Sequence, residues 1–168
     1  MELTRLFKHL MTSHWQIRQC FPPSVLTAIE QAVAASEHRH RGELRVVVEG
    51  PLPLGLLLRN VSARARATEL FSRLRIWDTA ENSGILIYLQ LADRRVEILA
   101  DRGIATKVPQ AYWDGLCQDM ERAFSQGSFK EGTLDAVAKA GVLLIEHFPA
   151  MANGSDNPDE LPDRPLIL

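Results

Sequence analysis

The chain has 168 residues, 46% of them hydrophobic and 24% charged, with a formal charge of −2. That suffices for one globular domain with short extensions, and it leaves no broad positive field to hold nucleic acid or an anionic membrane. Cys20 and Cys117 match no metal or redox spacing and read as reduced, packed thiols, and no stretch reaches the ~20 apolar residues of a transmembrane helix.

Leu3, Leu6, Phe7 and Leu10 recur at helical spacing and predict an amphipathic helix over residues 2–12, within an N-terminal arm of residues 1–20. The arm lacks the continuous apolar run of a signal peptide, so a cytoplasmic protein is expected. Phe21-Pro22-Pro23-Ser24 interrupts the chain and places Ser24 to cap a helix from about Val25 to Ser36. Glu43 to Glu49, ELRVVVE, is rich in β-branched residues and reads as the first strand. GPLPLG is turn chemistry, LLLRNV fits more than one state, and Ser62 caps a predicted helix that runs to Leu74. Gly84 to Leu91, GILIYLQL, is apolar on both faces and is expected at the centre of a sheet. The turn ADRR is short enough to make VEILA its hairpin partner. Pro109 introduces a helix to about Ser125, SQGS ends it, and Lys130 to Phe148 forms the last long helix. Residues 151–168 turn to Asn, Asp, Pro and Gly and are expected to be disordered.

The first two strands are joined through a helix, so they are expected to be parallel, and the hairpin makes the third antiparallel to the second. The fold class is α/β, a three-layer α/β/α sandwich over residues 21–150 with a small mixed β-sheet. This topology decides which polar residues meet. Loop 77–83 enters the second strand and loop 101–108 leaves the third. Asp78, Glu81, Asn82 and Asp101 therefore belong to one end of the sheet, and Asp93 to the other. Oxygen donors of this kind suit Ca²⁺ or Mg²⁺; the competing reading is a set of solvated turn residues. At the same end Arg102, Gly103 and Lys107 lead toward the helix near Pro109 and form a candidate anion site, with Gly103 free to take an unusual backbone conformation.

Three segments together resemble the TPM domain family over about Phe21 to Pro149: ELRVVVE, FSRLRIWDTAENSGILIYLQLADRRVEILADRGI, and FSQGSFKEGTLDAVAKAGVLLIEHFP. A glycine-led strand running into an Asp-Arg hairpin, followed by F-x-x-G-x-F-x-x-G, carries the resemblance. It implies an α/β/α sandwich. Some members are associated with divalent cations, acid phosphatase activity has been proposed for some, and many are secreted or membrane-tethered. This chain is expected to be a soluble branch. Secreted members often carry Asp-Asn-Gly before the central strand. Here the run is Glu81-Asn82-Ser83-Gly84, which sets Asn82 at the Asp position without a gap, or Glu81 with a one-residue shift.

The expected function is a divalent-cation-binding accessory or interaction module with an unidentified protein partner, and no nucleic acid. Two alternatives stand beside it. One is a low-turnover, metal-assisted acid phosphatase in which Asp78 or Glu81 holds the metal and Asp101 or a bound water attacks. The other is a peripheral, envelope-associated factor that docks through helix 2–12. No Ser-His-Asp or Cys-His set is suggested by local spacing, so no catalytic residue is assigned. His38 and His40 read as a solvated helix end, His147 as a cation at a helix C-terminus, and Trp77, Trp113 and Phe124 as core.

Overall fold

A computed structural model describes residues 3–12, 14–151 and 160–168. The elements run α1 (Leu3–Met11), α2 (His14–Cys20), α3 (Pro23–Glu37), β1 (Glu43–Glu49), α4 (Leu54–Leu58), α5 (Ala63–Arg73), β2 (Gly84–Gln90), β3 (Arg95–Ala100), α6 (Arg102–Ala105), α7 (Gln110–Ser125), α8 (Phe129–His147) and β4 (Leu166–Ile167). The sheet order is β3-β2-β1-β4. β1 and β2 are parallel, in register from Glu43↔Gly84 to Glu49↔Gln90, and β2 and β3 form the antiparallel hairpin. The mixed α/β sheet expected from the sequence is therefore present.

Alternation along β1 sorts its side chains onto two faces. Leu44, Val46 and Val48 join Ile85, Ile87 and Leu89 under α3, α7 and α8, where Val33, Trp113 and Ala140 are also buried. Each such aliphatic side chain contributes about 1.5–3 kcal/mol when fully buried. Val47, Leu86, Tyr88 and Leu99 form a second core under α5 with Ala67 and Leu70. The polar residues of that face are buried as well. Arg66 of α5 bonds Glu49 at 2.7 Å, and the Tyr88 hydroxyl donates to the same carboxylate at 2.6 Å. Burial and the neighbouring Glu49 charge push the Tyr88 hydroxyl well above its usual range, so it stays protonated as the donor.

Four expectations change. The C-terminal segment was expected to be disordered, yet residues 160–168 lie on the sheet; residues 152–159 fall outside the described residues. β4 pairs with the open edge of β1 at Val47↔Leu166 and Val48↔Ile167. Leu161 is buried, and Arg45 donates to the carbonyls of Pro162 and Arg164. An unpaired strand edge and a buried guanidinium need partners, and this segment supplies them. Ser24 is not the cap of α3, because Pro22 holds that position and Pro23 starts the helix. Trp77 is 50% exposed rather than core. His40 is fully buried rather than solvated.

α1 lies with its polar side inward. Arg5 grips Asp93 with Nε at 3.1 Å and a terminal nitrogen at 2.7 Å, and it also reaches the Val61 carbonyl at 2.7 Å. His9 is buried, with Nε2 3.1 Å from Asp93 Oδ1 and Nδ1 accepting from the Leu52 N–H at 2.9 Å. The expected apolar stripe faces out instead: Leu3, Phe7, Leu10 and Met11 are 63–73% exposed. The arm is joined to the main core through α2, where Ile17 is buried.

Candidate functional site

β1 and β2 begin side by side, and β3 ends beside β2. Three loops therefore share one end of the sheet: residues 39–42, 77–83 and 101–108. Backbone bonds close this end. The Asp101 N–H donates to the Gly84 carbonyl at 2.8 Å and the Gly103 N–H to the Asn82 carbonyl at 2.9 Å. Gly103 is required for space and takes no unusual backbone conformation. A Cβ there would sit 2.5 Å from the carbonyl oxygens of both Glu81 and Asn82. Asn82 itself turns the loop in the left-handed region, φ 52°, which Asn tolerates better than most residues.

The side chains at this end are balanced against arginines. Glu81 forms an ion pair with Arg41. Arg41 is fixed in turn: its N–H donates to the Phe148 carbonyl at 2.8 Å, its Nε to the Pro149 carbonyl at 2.9 Å, and its own carbonyl accepts from Ser83 Oγ at 3.3 Å. Arg102 Nε donates to Asn82 Oδ1 at 3.1 Å. Asp101 caps α6 through Oδ1, which accepts the Arg102 N–H at 2.7 Å. Its other oxygen, Oδ2, is buried and has no hydrogen-bond partner among the described residues. Asp78 is exposed and its carboxylate makes no hydrogen bond among them. Lys107 sits over the Phe148 ring, 5.6 Å from its centroid.

The structure thus brings Glu81, Asn82, Asp101, Arg102 and Gly103 to one end and sets Asp93 at the hairpin end. It does not gather Asp78, Glu81 and Asp101 into one carboxylate cluster. Among the described residues, no group of three or more His, Cys, Asp or Glu side chains is placed to hold a metal ion. Arg102 and Lys107 both lie at this end and are turned to separate partners, Asn82 Oδ1 and the Phe148 ring. His40 stands beside this end with Nε2 2.8 Å from Ser36 Oγ and Nδ1 against the Gly42 backbone. Burial pushes its pKa down to about 4, so it is neutral at pH 7.

Arg41 is the residue that sequence reasoning missed. The signal was available: two parallel strands start at the same end, so the loop entering β1 had to join the two loops already placed there.

A small mixed sheet between helical layers, with a polar loop end of backbone carbonyls and arginine-balanced acids at the start of β1 and β2, defines a domain of the α/β/α class. The profile of the TPM domain matches residues 18–142, and the chain belongs to that family. A similar solved structure is the NMR structure of BA42 protein from the psychrophilic bacterium Bizionia argentinensis, at 30% identity and a TM-score of 0.73, covering 86% of this chain and 93% of that one. No curated protein matches the sequence. No described helix is long and apolar enough to cross a membrane.

Proposed function

We propose that this TPM domain is an accessory or interaction module whose loop end takes a divalent cation, Ca²⁺ or Mg²⁺, weakly. The observation that supports this reading is the buried, unpartnered Oδ2 of Asp101. A buried carboxylate oxygen without a donor costs about 1–3 kcal/mol, and a cation removes that cost. Asn82 Oδ1 and backbone carbonyls of the 77–83 loop are the further oxygens at this end, which suits a hard ion. Arg41 on Glu81 and Arg102 on Asn82 compete with it, so the affinity is modest, about 10⁻⁵–10⁻³ M. The cation acts here as a brace between two loops. A phosphatase would also need donors that converge on the phosphate, and Arg102 Nε and Lys107 turn to Asn82 Oδ1 and the Phe148 ring, so binding is the stronger reading. Isothermal titration of the full chain with Ca²⁺ and Mg²⁺ tests it. Saturable heat that Asp101→Asn abolishes is expected; no heat from the wild type with either ion would overturn the reading.

A further inference from the structure

At the hairpin end, away from the loop site, α1 and α2 form one wall of an open groove with a cavity volume of about 760 Å³. Phe7 and Met11 supply the wall, and both are more than half exposed. The half-buried Leu91, Phe124 and Phe129 supply the floor, where they continue the main core. The sequence explains the wall. Arg5 and His9 turn the polar side of α1 onto Asp93, so the side that would normally be buried is left facing the groove and solvent. Large apolar side chains kept in water mark a surface with a ligand.

The groove also has a charge. Lys8 and Arg94 line it, are exposed, and have no carboxylate partner among the described residues. Residues 3–20 contain Arg5, Lys8 and Arg18 and no Asp or Glu, in a chain whose formal charge is −2. The acid lining the groove, Glu121, is already committed: it accepts the Val96 N–H at 3.0 Å and faces Arg95 at 3.8 Å. The groove therefore offers apolar surface with unbalanced positive charge at its edge.

We infer that this groove binds a single-chain anionic amphiphile, a long-chain carboxylate of the fatty-acid class. The acyl chain lies on Leu91, Phe124 and Phe129 under Phe7 and Met11, and the carboxylate meets Lys8 and Arg94. The volume lies within the ~300–1,000 Å³ range of small-molecule sites. A second copy of α1 carries Arg5 and Lys8 and no Asp or Glu, so it would add positive charge to a groove edge that is already positive. Met11 suits a chain of variable shape, because its thioether repacks readily.

The test uses the full chain and dansylaminoundecanoic acid below its micelle concentration, followed by fluorescence, with its methyl ester as the uncharged probe. Saturable binding of the acid at one site per chain is expected, with the ester at least about tenfold weaker. Phe7→Glu and the double variant Lys8→Glu/Arg94→Glu should each weaken the acid by about tenfold or more. Leu3→Glu changes an equally exposed apolar residue of α1 that does not line the groove, so it should stay within about twofold of wild type. Melting curves that match wild type confirm that these surface variants fold. Equal binding of acid and ester, equal losses in Leu3→Glu and Phe7→Glu, or no saturable binding would each overturn the proposal. So would binding only when a peptide or a vesicle, and never the monomeric probe, is supplied.

Discussion

Asp93 and Asp101 stand at opposite ends of the same hairpin, and the protein treats their charges in opposite ways. Asp93 receives Arg5 through two nitrogens and sits 3.1 Å from His9 Nε2. Burial alone would raise its pKa, but the bonds from Arg5 and His9 outweigh that and hold it below the usual carboxylate value. Asp101 keeps one oxygen buried and without a donor. Glu37 shows a third solution. Burial, its bond to Asp163 and the nearby Glu43 push its pKa up to about 10, so a proton neutralises it at pH 7. The same chemical group is thus a structural anchor, an unfilled acceptor or a neutral acid, according to which partner the fold brings to it.

Backbone bonds close the loop end, and the largest expected effect breaks that closure. A Cβ on Gly84 would run into the Ile76 carbonyl oxygen, and the Gly84 carbonyl holds the Asp101 N–H. Gly84→Val should therefore cost about 3 kcal/mol or more in urea unfolding. A midpoint equal to wild type would show that loop 76–84 gives way freely.

Asp93→Ala is the next test. It removes the carboxylate that Arg5 and the buried His9 share and leaves Arg5 with the Val61 carbonyl and His9 with the Leu52 N–H, so a loss of about 2 kcal/mol is expected. Calcium affinity should not change. The pH dependence follows from the lowered pKa in the fold. The contribution is complete above the unfolded value of about 3.9 and disappears as pH falls through the folded value. Wild type should lose this increment in acid, and Asp93→Ala should not.

Glu37→Gln works in the other direction. The amide donates to Asp163 and accepts from the Leu44 N–H, as the protonated acid does, without having to take up a proton on folding. The raised pKa means that the stability linked to Glu37 is complete below the unfolded value of about 4.3 and declines as pH rises toward the folded value. The variant should gain on the order of 1–2 kcal/mol at pH 7, and more at pH 8 than at pH 6. A destabilised Gln variant at pH 8 would mean that Glu37 is ionised in the fold. The smallest effect belongs to Asp101→Asn in metal-free buffer. Asn caps a helix as well as Asp does, so the melting midpoint should move by no more than the equivalent of about 0.5 kcal/mol.

The strands were legible in the sequence because local pattern determines them. ELRVVVE needed only its β-branched composition, and GILIYLQL its apolar run and the turn-sized link to β3. The meeting of loops 77–83 and 101–108 was legible too, because antiparallel pairing fixes it. What escaped were contacts between residues far apart in the chain. Arg5 reaches Asp93 across 88 positions, and Arg41 reaches Glu81 across 40. The orientation of α1 escaped for the same reason: its 3.6-residue pattern states which side is apolar, whereas Asp93 decides which side docks. The polar composition of the C-terminal segment concealed Leu161 and Leu166, the residues that seat it beside β1.

The contrast between the two ends can be read in one experiment. Amide chemical shifts of the full chain, followed by NMR during a Ca²⁺ titration, report on each end separately. The account predicts saturating shifts at residues 79–84 and 101–104, absent in Asp101→Asn, with residues 91–95 unmoved. Shifts centred on residues 91–95, or none at either end at about 10 mM Ca²⁺, ten times the weakest affinity expected for such a site, would contradict it.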